Sequence, residues 1–565
     1  MTPSVSAHKP AETVHQNKPH VRSGWIFYLH VAAITALALV QPVLEQLSDN
    51  SEFFIVRRSE AIDVVLVVVF LSLAIPSLIL SGVAIAKRIS KSAARISEFC
   101  FMALLLSLLV LTILKRTWPI PWFLVLPLGT AAGIVLATGY LRSALVRQFF
   151  TYLAPAILIV PSIFLLNSRI IKLLRNEGMR IPTITIQSRT PIVFLVFDEF
   201  PLSTILRDEL HLDEDHFPNF ARLAQTATWY RNATTVSSMT TYAVPSILTG
   251  RYPRVDDLPI MNDHPQNLFT ALSQSHELRI FENGETLLPK ELQKLAQNAG
   301  LQSRLASTFS DLSLLYLHLV LPQDLTEKYL PSVSEAWGDF NWGNGPTNGT
   351  RPDDFRTFIS SIRATQKPGF FYHHAMLPHP PYQYSPSGLE FSCDALDVRA
   401  PEYNRQYSCH LLQAGYADRV LGQLLDHLQH IELFDSCMIV VVADHGANFY
   451  QHELMRLVNE DNISDIILVP LFIKLPHQRQ AQVSDRNVEL VDLPPTIADQ
   501  LNVHFPWAEG ISILKPDSRP LKLFFAGSQM KRVTFPPTIR ASHRTLKARQ
   551  LIFSSPKFLA YWRPK

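Results

Sequence analysis

Two adjacent threonines, Thr240 and Thr241, precede a short apolar stretch that begins near Pro245 and ends at Thr249 and Gly250. Proline is tolerated in the first turn of a helix and glycine commonly follows the last turn, so this stretch predicts a short helix. The unpaired N–H groups and the dipole at its N-terminus would favour an alkoxide forming on a threonine, or a bound phosphate. The same residues also fit an ordinary helix cap, because threonine is a common capping residue.

Acidic and imidazole side chains follow three apolar runs that are rich in β-branched and aromatic residues. Asp198 and Glu199 follow IVFLVF, and Asp444 and His445 follow MIVVVA. His379 follows a third run, FFYHHAM. In a mainly parallel sheet the carboxyl ends of the strands meet at one edge, where ligands bind. Singly, each of these residues also fits a loop residue whose hydrogen bonds are satisfied.

Together these side chains offer oxygen and nitrogen atoms that suit a divalent metal ion. Zn²⁺ and Mn²⁺ are the expected ions, and Ca²⁺ and Mg²⁺ are also compatible with carboxylate ligands. A metal would lower the pKa of a coordinated hydroxyl and neutralise charge on a phosphoryl or sulfuryl oxygen. The strand ends and the Thr240 hydroxyl therefore predict a metal-dependent site for group transfer or ester cleavage.

The elements that must position these residues alternate between strands and helices from Pro191 onward. Such alternation predicts a three-layer α/β/α sandwich with a mainly parallel sheet. The predicted strands are 192–197, 370–376, 438–443 and 467–475, and the predicted helices include 218–225 and 411–430.

The first third of the chain is far more apolar than the rest. It contains five runs nearly free of charge, most of them long enough to cross the hydrocarbon core of a bilayer as helices. A single cleaved signal peptide does not account for five runs. The predicted membrane helices are 25–44, 64–86, 99–114, 122–140 and 149–166.

The distribution of Lys and Arg in the short loops sets the predicted orientation. Basic residues favour the N-terminal tail and the loops after the second and fourth runs, although Lys115 and Arg116 lie on the opposite side. This bias predicts an inner (cell) membrane protein with a cytoplasmic N-terminus and a periplasmic or extracellular catalytic domain. The segment SRIIKLLRNEGMR, 168–180, fits either a basic amphipathic segment at the outer membrane surface or a plain linker helix.

These features divide the chain into five predicted regions. They are a disordered cytoplasmic tail (1–24), five transmembrane helices (25–167), a juxtamembrane linker (168–190), a catalytic domain (191–530) and a basic C-terminal segment (531–565). The basic segment could contact a membrane surface, but a solvated terminal segment is the preferred interpretation.

Composition narrows the possible partners. A chain of 565 residues is too long for one compact domain, and a net charge of +3 argues against a nucleic-acid binder.

Four cysteines without a CxxC spacing argue against a disulfide-dense scaffold and a thiolate zinc site. Cys393 and Cys409 could pair across a short loop outside the cytoplasm, and two free buried thiols are at least as compatible with the sequence. Nothing in the sequence indicates an oligomeric state.

The order of these motifs resembles that of the sulfatase-like branch of the alkaline phosphatase superfamily, over nearly all of 191–510. The matching motifs are VFLVFDEFP, FPNFARLAQTATWYRNATT, TTYAVPSILTGRYP, LPHPPYQYSPSG, GYADRVLGQLLDHL, VVVADHG, VPLFIKLP and VDLPPTIADQL. Five membrane helices followed by an external catalytic domain also resemble the layout of lipoteichoic acid synthases and lipid A phosphoethanolamine transferases. The resemblance implies an alkaline-phosphatase-like fold.

The resemblance also implies a role for each strand-end residue. Glu199 corresponds to the metal-binding glutamate of the transferases, whereas sulfatases use paired aspartates, so Asp198 is included in the implied metal set. Asp444 and His445 match the family's Asp-His metal pair. His379 matches the histidine that contacts the transferred group or a second metal, and it is expected to orient the phosphate or protonate the leaving group.

The implied nucleophile and metal-activated hydroxyl is Thr240, five residues before the proline of the Val-Pro pair, with Thr241 as the near alternative. The transferases keep a further histidine downstream of the Asp-His pair. His452 matches it loosely, and Arg456 could hold the anion instead. The lower-ranked candidates for substrate binding are His374, His452, Arg456 and Thr241.

One departure from the family pattern bears on the reaction. Sulfatases that use formylglycine carry Cys-x-Pro-Ser-Arg, and Ala243 stands where that cysteine would be. The resemblance therefore implies transfer of a phosphoryl-linked headgroup, such as phosphoethanolamine or phosphoglycerol, from a phospholipid donor to an envelope glycan or lipid acceptor. Hydrolysis of a phosphodiester or sulfate ester by water is the alternative activity. A catalytically silent, lipid-binding regulatory membrane protein is the alternative from another class.

Overall fold

The computed structural model describes residues 24–117, 121–175, 184–292, 301–330, 351–517, 519–527 and 529–563. The chain divides into a smaller helical unit and a larger α/β unit. The smaller unit consists of Met1–Glu45, Val67–Phe164 and Leu319–Asp324, and the larger one of Gln46–Leu66, Leu165–His318 and Leu325–Lys565. The tail predicted at 1–24 lies outside the described residues except for Gly24, and so does the 176–180 part of the segment 168–180.

Among the described residues, five helices are long and apolar enough to cross a membrane. Each contains the run that the sequence predicts for it, although the fifth ends one residue early. The five predicted membrane helices are confirmed, and they indicate that the protein is anchored in a membrane. Their bounds are Trp25–Asp49, Ala61–Ile89, Lys91–Arg116, Trp122–Arg142 and Ala144–Leu165.

The remaining elements alternate between helices and strands. The helices are Glu52–Val56, Ser168–Leu174, Pro218–Ala224, Thr240–Thr249, Leu268–Leu272, Leu301–Val320, Gln323–Tyr329, Arg351–Ser361, Arg405–His430, Ile463–Ile467, Leu493–Gln500, His543–Phe553 and Pro556–Trp562. The strands are β1 (Ile192–Asp198), β2 (Thr228–Tyr230), β3 (Ala233–Thr234), β4 (Glu277–Phe281), β5 (Gly369–Pro378), β6 (Met438–Ala443), β7 (Leu471–Lys474), β8 (Gln482–Ser484), β9 (Val488–Glu489), β10 (Lys522–Ala526) and β11 (Lys531–Phe535).

Seven of these strands form one sheet in the order β4-β5-β1-β6-β7-β2-β8. The strand β1 is parallel to both of its neighbours, and β7 is antiparallel to β6 and β2, so the sheet is mainly parallel. Every residue of β1 is buried, as expected for a strand covered by helices on both faces. The predicted fold class is confirmed.

The end of β1 lies between the ends of β5 and β6. Phe197 pairs with Ala375 on β5 and with Ala443 on β6. The register against β5 then shifts, so that Asp198 pairs with Pro378, the last residue of that strand. Because of this shift, the acidic residue at the end of β1 lies beside the loop that follows β5.

The strand predicted at 467–475 is only partly correct. The structure has the helix Ile463–Ile467 followed by the shorter strand Leu471–Lys474. Pro470 separates the two, and it has no N–H group to contribute to a strand ladder. Its carbonyl group accepts a hydrogen bond from the Ala443 N–H at 3.3 Å.

The basic C-terminal region is part of the folded α/β unit, so the preferred prediction of a solvated terminal segment is wrong for 531–563. The strand β11 pairs antiparallel with β10, which places the boundary predicted at 530 inside a hairpin. In the helix that follows, Arg549 is only 2% exposed and its guanidinium binds Asp213. Phe558 and Trp562 belong to the hydrophobic core.

The helix Ser168–Leu174 is docked on the α/β unit, as a linker helix would be. Ile170 is fully buried. The Lys172 ammonium donates hydrogen bonds to the Asp256 carbonyl at 2.8 Å and to Asp263 at 2.9 Å. The basic side chain is therefore paired with acidic and carbonyl groups of the protein itself.

The segment Gln46–Leu66 also folds with the α/β unit. It comprises the end of the first membrane helix, the connection that follows and the start of the second membrane helix. Arg57 is 5% exposed and binds Asp311. The neighbouring Arg58 donates a hydrogen bond to the carbonyl oxygen of Glu282 at 2.8 Å. This unit is thus built from parts of the chain on both sides of the later membrane helices.

Cys393 and Cys409 form a disulfide bond with their Cα atoms 5.7 Å apart. Of the two alternatives that the sequence leaves open, the paired one is correct. The other two cysteines, Cys100 and Cys437, are free thiols. A structural disulfide agrees with a domain outside the reducing cytoplasm.

We expect this disulfide to stabilise the α/β unit by about 3 kcal/mol, because it closes a loop with a sequence separation of 16. The Cys393→Ala, Cys409→Ala protein should unfold at a lower temperature than the wild type. Thermal unfolding in detergent, with and without reductant, measures the difference. A Cys100→Ala protein is the control, and an unchanged Tm in the double variant would contradict the expectation.

Candidate metal centre and nucleophile

Three neighbouring strand ends bring the predicted acidic and imidazole residues together. Asp198 is the last residue of β1, and Glu199 follows it with a backbone φ of +60°. Asp444 and His445 follow β6, and His379 follows β5. A glutamate in the left-handed region is uncommon, and such strained residues cluster at functional sites.

Asp198, Asp444 and His445 are buried, and one potential ligand atom from each lies within 4.8 Å of the other two. Oδ1 of Asp444 accepts hydrogen bonds from the N–H groups of Glu199 at 3.0 Å and His445 at 2.6 Å. Its other oxygen, Oδ2, has no hydrogen-bond partner among the described residues. Burial raises the pKa of the Asp444 carboxyl above its ordinary value.

The ring of His445 is held in one tautomer by its own loop. Nδ1 lies 2.8 Å from the Gly446 carbonyl oxygen, which can only accept, so Nδ1 carries the proton and Nε2 carries a lone pair that can accept a hydrogen bond or bind a metal ion. Burial lowers the pKa of His445 to about 4, and the charge of Arg456 adds to this. Glycine is required at position 446, because a Cβ there would lie 2.0 Å from the carbonyl oxygen of Asp465.

Thr240 is the first residue of the helix Thr240–Thr249, and Met239 occupies the N-cap position without a side-chain hydrogen bond. The cap interpretation of the threonines is therefore wrong. The helix begins five residues before Pro245, which lies inside it rather than in its first turn. The Thr240 hydroxyl oxygen lies 3.2 Å from Nε2 of His445 and 3.5 Å from Oδ1 of Asp198.

Arg456 joins a second buried group formed by Asp198, Glu199 and His379. One guanidinium nitrogen, Nη2, lies 3.0 Å from Oε2 of Glu199 and 3.0 Å from Nε2 of His379. A cationic nitrogen thus bridges the carboxylate and the imidazole. The other guanidinium nitrogens leave donors for an anion, which is the role that the sequence predicts for Arg456.

His379 is arranged as an acceptor rather than as an acid. Its Nδ1 lies 2.6 Å from the Pro380 carbonyl oxygen and therefore carries the ring proton. Burial lowers the pKa of His379 to about 4, although Asp198 opposes this shift. At neutral pH Nε2 has no proton to give, so the geometry does not support the predicted protonation of a leaving group. The geometry is compatible with the other predicted role of His379, which is to orient the substrate, here through Arg456.

His374, a low-ranked candidate from the sequence, lies on β5 beside Asp198. Its Nδ1 is 2.9 Å from Oε2 of Glu285, and its Nε2 is 3.7 Å from Oδ2 of Asp198. Burial alone would lower the pKa of His374, but the surrounding carboxylates outweigh it and raise the pKa to about 10. Sequence reasoning missed Glu285. Glu285 follows β4, which the sequence did not predict as a strand, so no local signal marked it.

A family model described as sulfatase matches residues 192–503, more than half of the chain. The chain belongs to the sulfatase family. Members of the sulfatase family are metal-dependent hydrolases of the alkaline phosphatase superfamily. The matched region extends from β1 to the helix Leu493–Gln500 and contains every residue of the two buried groups.

Several solved structures are similar to this sulfatase-family chain at low sequence identity. The phosphonate monoester hydrolase of Agrobacterium radiobacter is 14% identical, with 60% of this chain and 80% of that chain covered and a TM-score of 0.39. The phosphonate monoester hydrolase of Silicibacter pomeroyi is 18% identical, with 59% and 79% covered and a TM-score of 0.39. An alkaline phosphatase superfamily protein from Vibrio parahaemolyticus is 13% identical, with 67% and 89% covered and a TM-score of 0.37.

The side chains of this sulfatase-family site suit a divalent cation. Among the described residues, two buried carboxylate oxygens of the site have no hydrogen-bond partner: Oε1 of Glu199 and Oδ2 of Asp444. A carboxylate oxygen left buried without a partner is costly, and a bound cation removes that cost. The donor set of carboxylates and a neutral imidazole is one that Zn²⁺ or Mn²⁺ accepts.

Two of the predicted residues are not brought into this site. His452 is exposed, with a backbone φ of +64°, and none of the described hydrogen bonds links it to the cluster. Thr241 is half-buried and lines a separate cavity of about 30 Å³, together with Ser246 and Arg251. The structure therefore favours Thr240 over Thr241, and Arg456 over His452.

Proposed function

We propose that this sulfatase-family protein is a membrane-anchored, metal-dependent phosphoryl-transfer enzyme that uses Thr240 as its nucleophile. One observation carries the proposal. The Thr240 hydroxyl lies at a helix N-terminus, 3.2 Å from Nε2 of His445 and 3.5 Å from Oδ1 of Asp198. A nucleophile needs a neighbouring acceptor for its proton and a positive environment for its developing charge, and this position offers both.

Asp198, Glu199, Asp444 and His445, with the Thr240 hydroxyl, would hold the metal. A bound Zn²⁺ or Mn²⁺ would supply Lewis-acid polarisation of a phosphoryl oxygen and a lower pKa for the hydroxyl. The chain's own residues then carry the reaction. Oδ1 of Asp198 accepts the Thr240 proton as the Oγ–phosphorus bond forms and the bond from phosphorus to the leaving alcohol breaks.

The second half of the reaction returns the group from Thr240 to an acceptor. An acceptor hydroxyl attacks the phosphorus atom and releases its proton to solvent. The bond from phosphorus to Oγ of Thr240 breaks as Asp198 returns its proton to Oγ, which restores the threonine. The leaving oxygen in the first step takes its proton from solvent, because Nε2 of His379 carries none. Throughout, the free donors of Arg456 bind the non-bridging oxygens.

The proposed donor is a phospholipid headgroup, and the proposed acceptor is an envelope glycan or lipid. The membrane helices support a lipid donor, because they anchor the protein in a membrane, which is made of phospholipids. Ala243, where a formylglycine sulfatase has its cysteine, supports phosphoryl over sulfuryl chemistry. We place the unit outside the cytoplasm, and the Cys393–Cys409 disulfide supports that side.

Hydrolysis is the second candidate, because the family's enzymes use water as the acceptor. In that case the same Thr240 intermediate would form and water would replace the acceptor alcohol, with either a phosphodiester or a sulfate ester as substrate. A catalytically silent lipid-binding regulator is not supported, since Thr240 and the buried ligand atoms are all in place.

Mass spectrometry of the Thr240 peptide tests the proposal directly. The full-length protein in detergent is incubated with Zn²⁺ or Mn²⁺ and bis(p-nitrophenyl) phosphate, and in parallel with p-nitrophenyl sulfate. A phosphoryl adduct on Thr240, absent in an Asp444→Asn protein, is the expected result. No adduct and no p-nitrophenol release with either metal would refute the proposal. A headgroup-labelled phospholipid in proteoliposomes then separates transfer, which labels an acceptor, from hydrolysis, which releases soluble product.

We expect Arg456→Ala to weaken substrate binding by roughly 10- to 100-fold in KM, since it removes a charged donor to an anion. Arg456→Lys should recover part of this loss, because a lysine keeps the charge but not the paired donors. His452→Ala, from the same loop but exposed, is the matched control and should keep the wild-type KM. Steady-state kinetics with bis(p-nitrophenyl) phosphate provide the measurement, and equal KM values for Arg456→Ala and His452→Ala would contradict the assigned role.

A further inference from the structure

The four residues Glu282–Glu285, here called the ENGE segment, follow β4 at the same sheet edge as the metal ligands. The strand β4 is parallel to β5, so both carboxyl ends lie on that side. Gly284 has a φ of +86°, which lets the chain turn sharply. The carboxylate of Glu282 accepts hydrogen bonds from the N–H groups of Leu287 at 2.6 Å and Leu288 at 3.0 Å. The segment is thereby fixed in its own conformation.

Two other side chains of the ENGE segment hold His374. The Asn283 amide donates to the His374 carbonyl oxygen at 2.6 Å. Oε2 of Glu285 lies 2.9 Å from Nδ1 of the His374 ring, and Oε1 of Glu285 accepts from the Tyr372 hydroxyl at 3.3 Å. Glu285 is 2% exposed and His374 is fully buried. Backbone and ring of the histidine are therefore both held by this one segment.

The far side of the His374 ring faces the reaction site. Nε2 lies 3.7 Å from Oδ2 of Asp198 and has no hydrogen-bond partner among the described residues. A carboxylate bound to one ring nitrogen fixes where the other nitrogen points, as carboxylate–histidine pairs do beside metal centres. The buried geometry thus aims a ring nitrogen at Asp198, whose other carboxylate oxygen lies 3.5 Å from the Thr240 hydroxyl.

We propose that Glu285 is a positioning residue for the transfer reaction: through His374 it holds Nε2 against the oxygens of the transferred group. The inference rests on the proposed phosphoryl-transfer function. His374 is the residue that touches the substrate, and Glu285 acts only through it. Without the Glu285 carboxylate the ring is free to turn about χ2. Nε2 can then close the 3.7 Å gap to Asp198, which withdraws both groups from the substrate.

The ENGE segment is also held from outside the sheet. Arg58, in the segment Gln46–Leu66, donates a hydrogen bond to the Glu282 carbonyl oxygen at 2.8 Å. Because this contact ends on the backbone of the ENGE segment, its loss should disturb Glu285 less than removal of the carboxylate itself. Arg58→Ala is therefore expected to have a smaller effect of the same kind as Glu285→Ala.

The test is a double-mutant cycle in the full-length protein with bis(p-nitrophenyl) phosphate as substrate. Glu285→Ala should lower kcat by about 10- to 100-fold, the usual cost of losing a partner that orients a site residue, with little change in KM. Glu285→Gln keeps a hydrogen-bond acceptor for Nδ1 and should recover most of that loss. The Glu285→Ala, His374→Ala protein should be no slower than His374→Ala alone, because both changes remove the same function.

Two controls separate positioning from general destabilisation. Glu282→Gln keeps an acceptor for the Leu287 and Leu288 N–H groups, and it should leave kcat near the wild-type value. Inorganic phosphate should raise the Tm of the wild type more than that of Glu285→Ala or His374→Ala, which gives a readout independent of turnover.

Additive losses in the cycle, or a wild-type kcat for Glu285→Ala, would overturn the inference. Failure of the proposed function is recognised separately, in a Thr240→Ala protein. If Thr240→Ala keeps wild-type turnover, the nucleophile is wrong, while the cycle still decides whether Glu285 acts through His374. If Thr240→Ala is inactive and the cycle is additive, only the role of Glu285 is wrong.

Discussion

Thr240→Ala is expected to lower kcat for bis(p-nitrophenyl) phosphate by at least about 10³-fold, because removal of a nucleophile removes the covalent route. Thr240→Ser keeps a hydroxyl at the helix N-terminus and should retain a measurable fraction of the activity. Burst-phase release of p-nitrophenol, followed by peptide mass spectrometry, shows whether the covalent step is lost along with turnover.

The matched control for this variant is its neighbour. Thr241 lines a separate cavity, and Thr241→Ala should keep activity within a few-fold of the wild type, about the range of a surface change. Metal content of each protein, measured by inductively coupled plasma mass spectrometry, separates a lost nucleophile from a lost metal. Equal turnover in the wild type and Thr240→Ala, or a larger loss in Thr241→Ala, would contradict the assignment.

Arg549→Met is expected to destabilise the α/β unit by about 3–5 kcal/mol, because it leaves the buried Asp213 carboxylate without its charged partner. Arg549 is 2% exposed and Asp213 is 4% exposed. The expected signs are a lower Tm and faster proteolysis of the C-terminal region. The Arg549→Met, Asp213→Asn protein should recover much of the loss, since the uncompensated charge is then absent. A Tm for Arg549→Met equal to that of the wild type would contradict the prediction.

The ion pair between Arg549 and Asp213 also makes the stability of the folded protein depend on pH. Burial works to raise the pKa of Asp213, but hydrogen bonds and charge from His216 and Arg549 outweigh it and hold the pKa well below its usual range. A carboxyl group with a depressed folded-state pKa contributes its full stabilisation above its ordinary pKa of about 4 and loses it as the pH falls further. The Tm of the wild type should therefore fall more steeply below that pH than the Tm of the Arg549→Met, Asp213→Asn protein.

Residues of the site could be predicted from the sequence where the residues next to them carry a recognisable pattern. Asp198, Asp444 and His379 each follow an apolar run, and a parallel sheet must bring the ends of such runs to one edge. Glu285 was not predictable in this way, because β4 has the sequence ELRIF, whose charged residues weaken the pattern of a buried strand. Its role depends on β4 lying next to β5, which is a property of the assembled sheet.

The limits of domains and helices were harder to predict from the sequence than the residues of the candidate site. The many basic residues after residue 530 predict a solvated segment when only the local charge is considered. In the folded protein Arg549 pairs with Asp213, more than three hundred residues earlier in the chain. Pairing over such a separation leaves no periodic signal in the sequence. The start of the helix at Thr240 was missed for a related reason, because proline is rare inside helices and Pro245 suggested a first turn.

The docking of Gln46–Leu66 on the α/β unit bears on how a soluble fragment should be designed. A fragment that starts after the fifth membrane helix would lack Arg57 and Arg58, and with them the buried contact to Asp311 and the hydrogen bond to Glu282. Its purified form would then lack the Arg57 contact to the Asp311 carboxylate and one of the hydrogen bonds that hold the turn near the reaction site. Supplying the 46–66 segment through a circularly permuted gene or a tethered peptide would restore the missing piece.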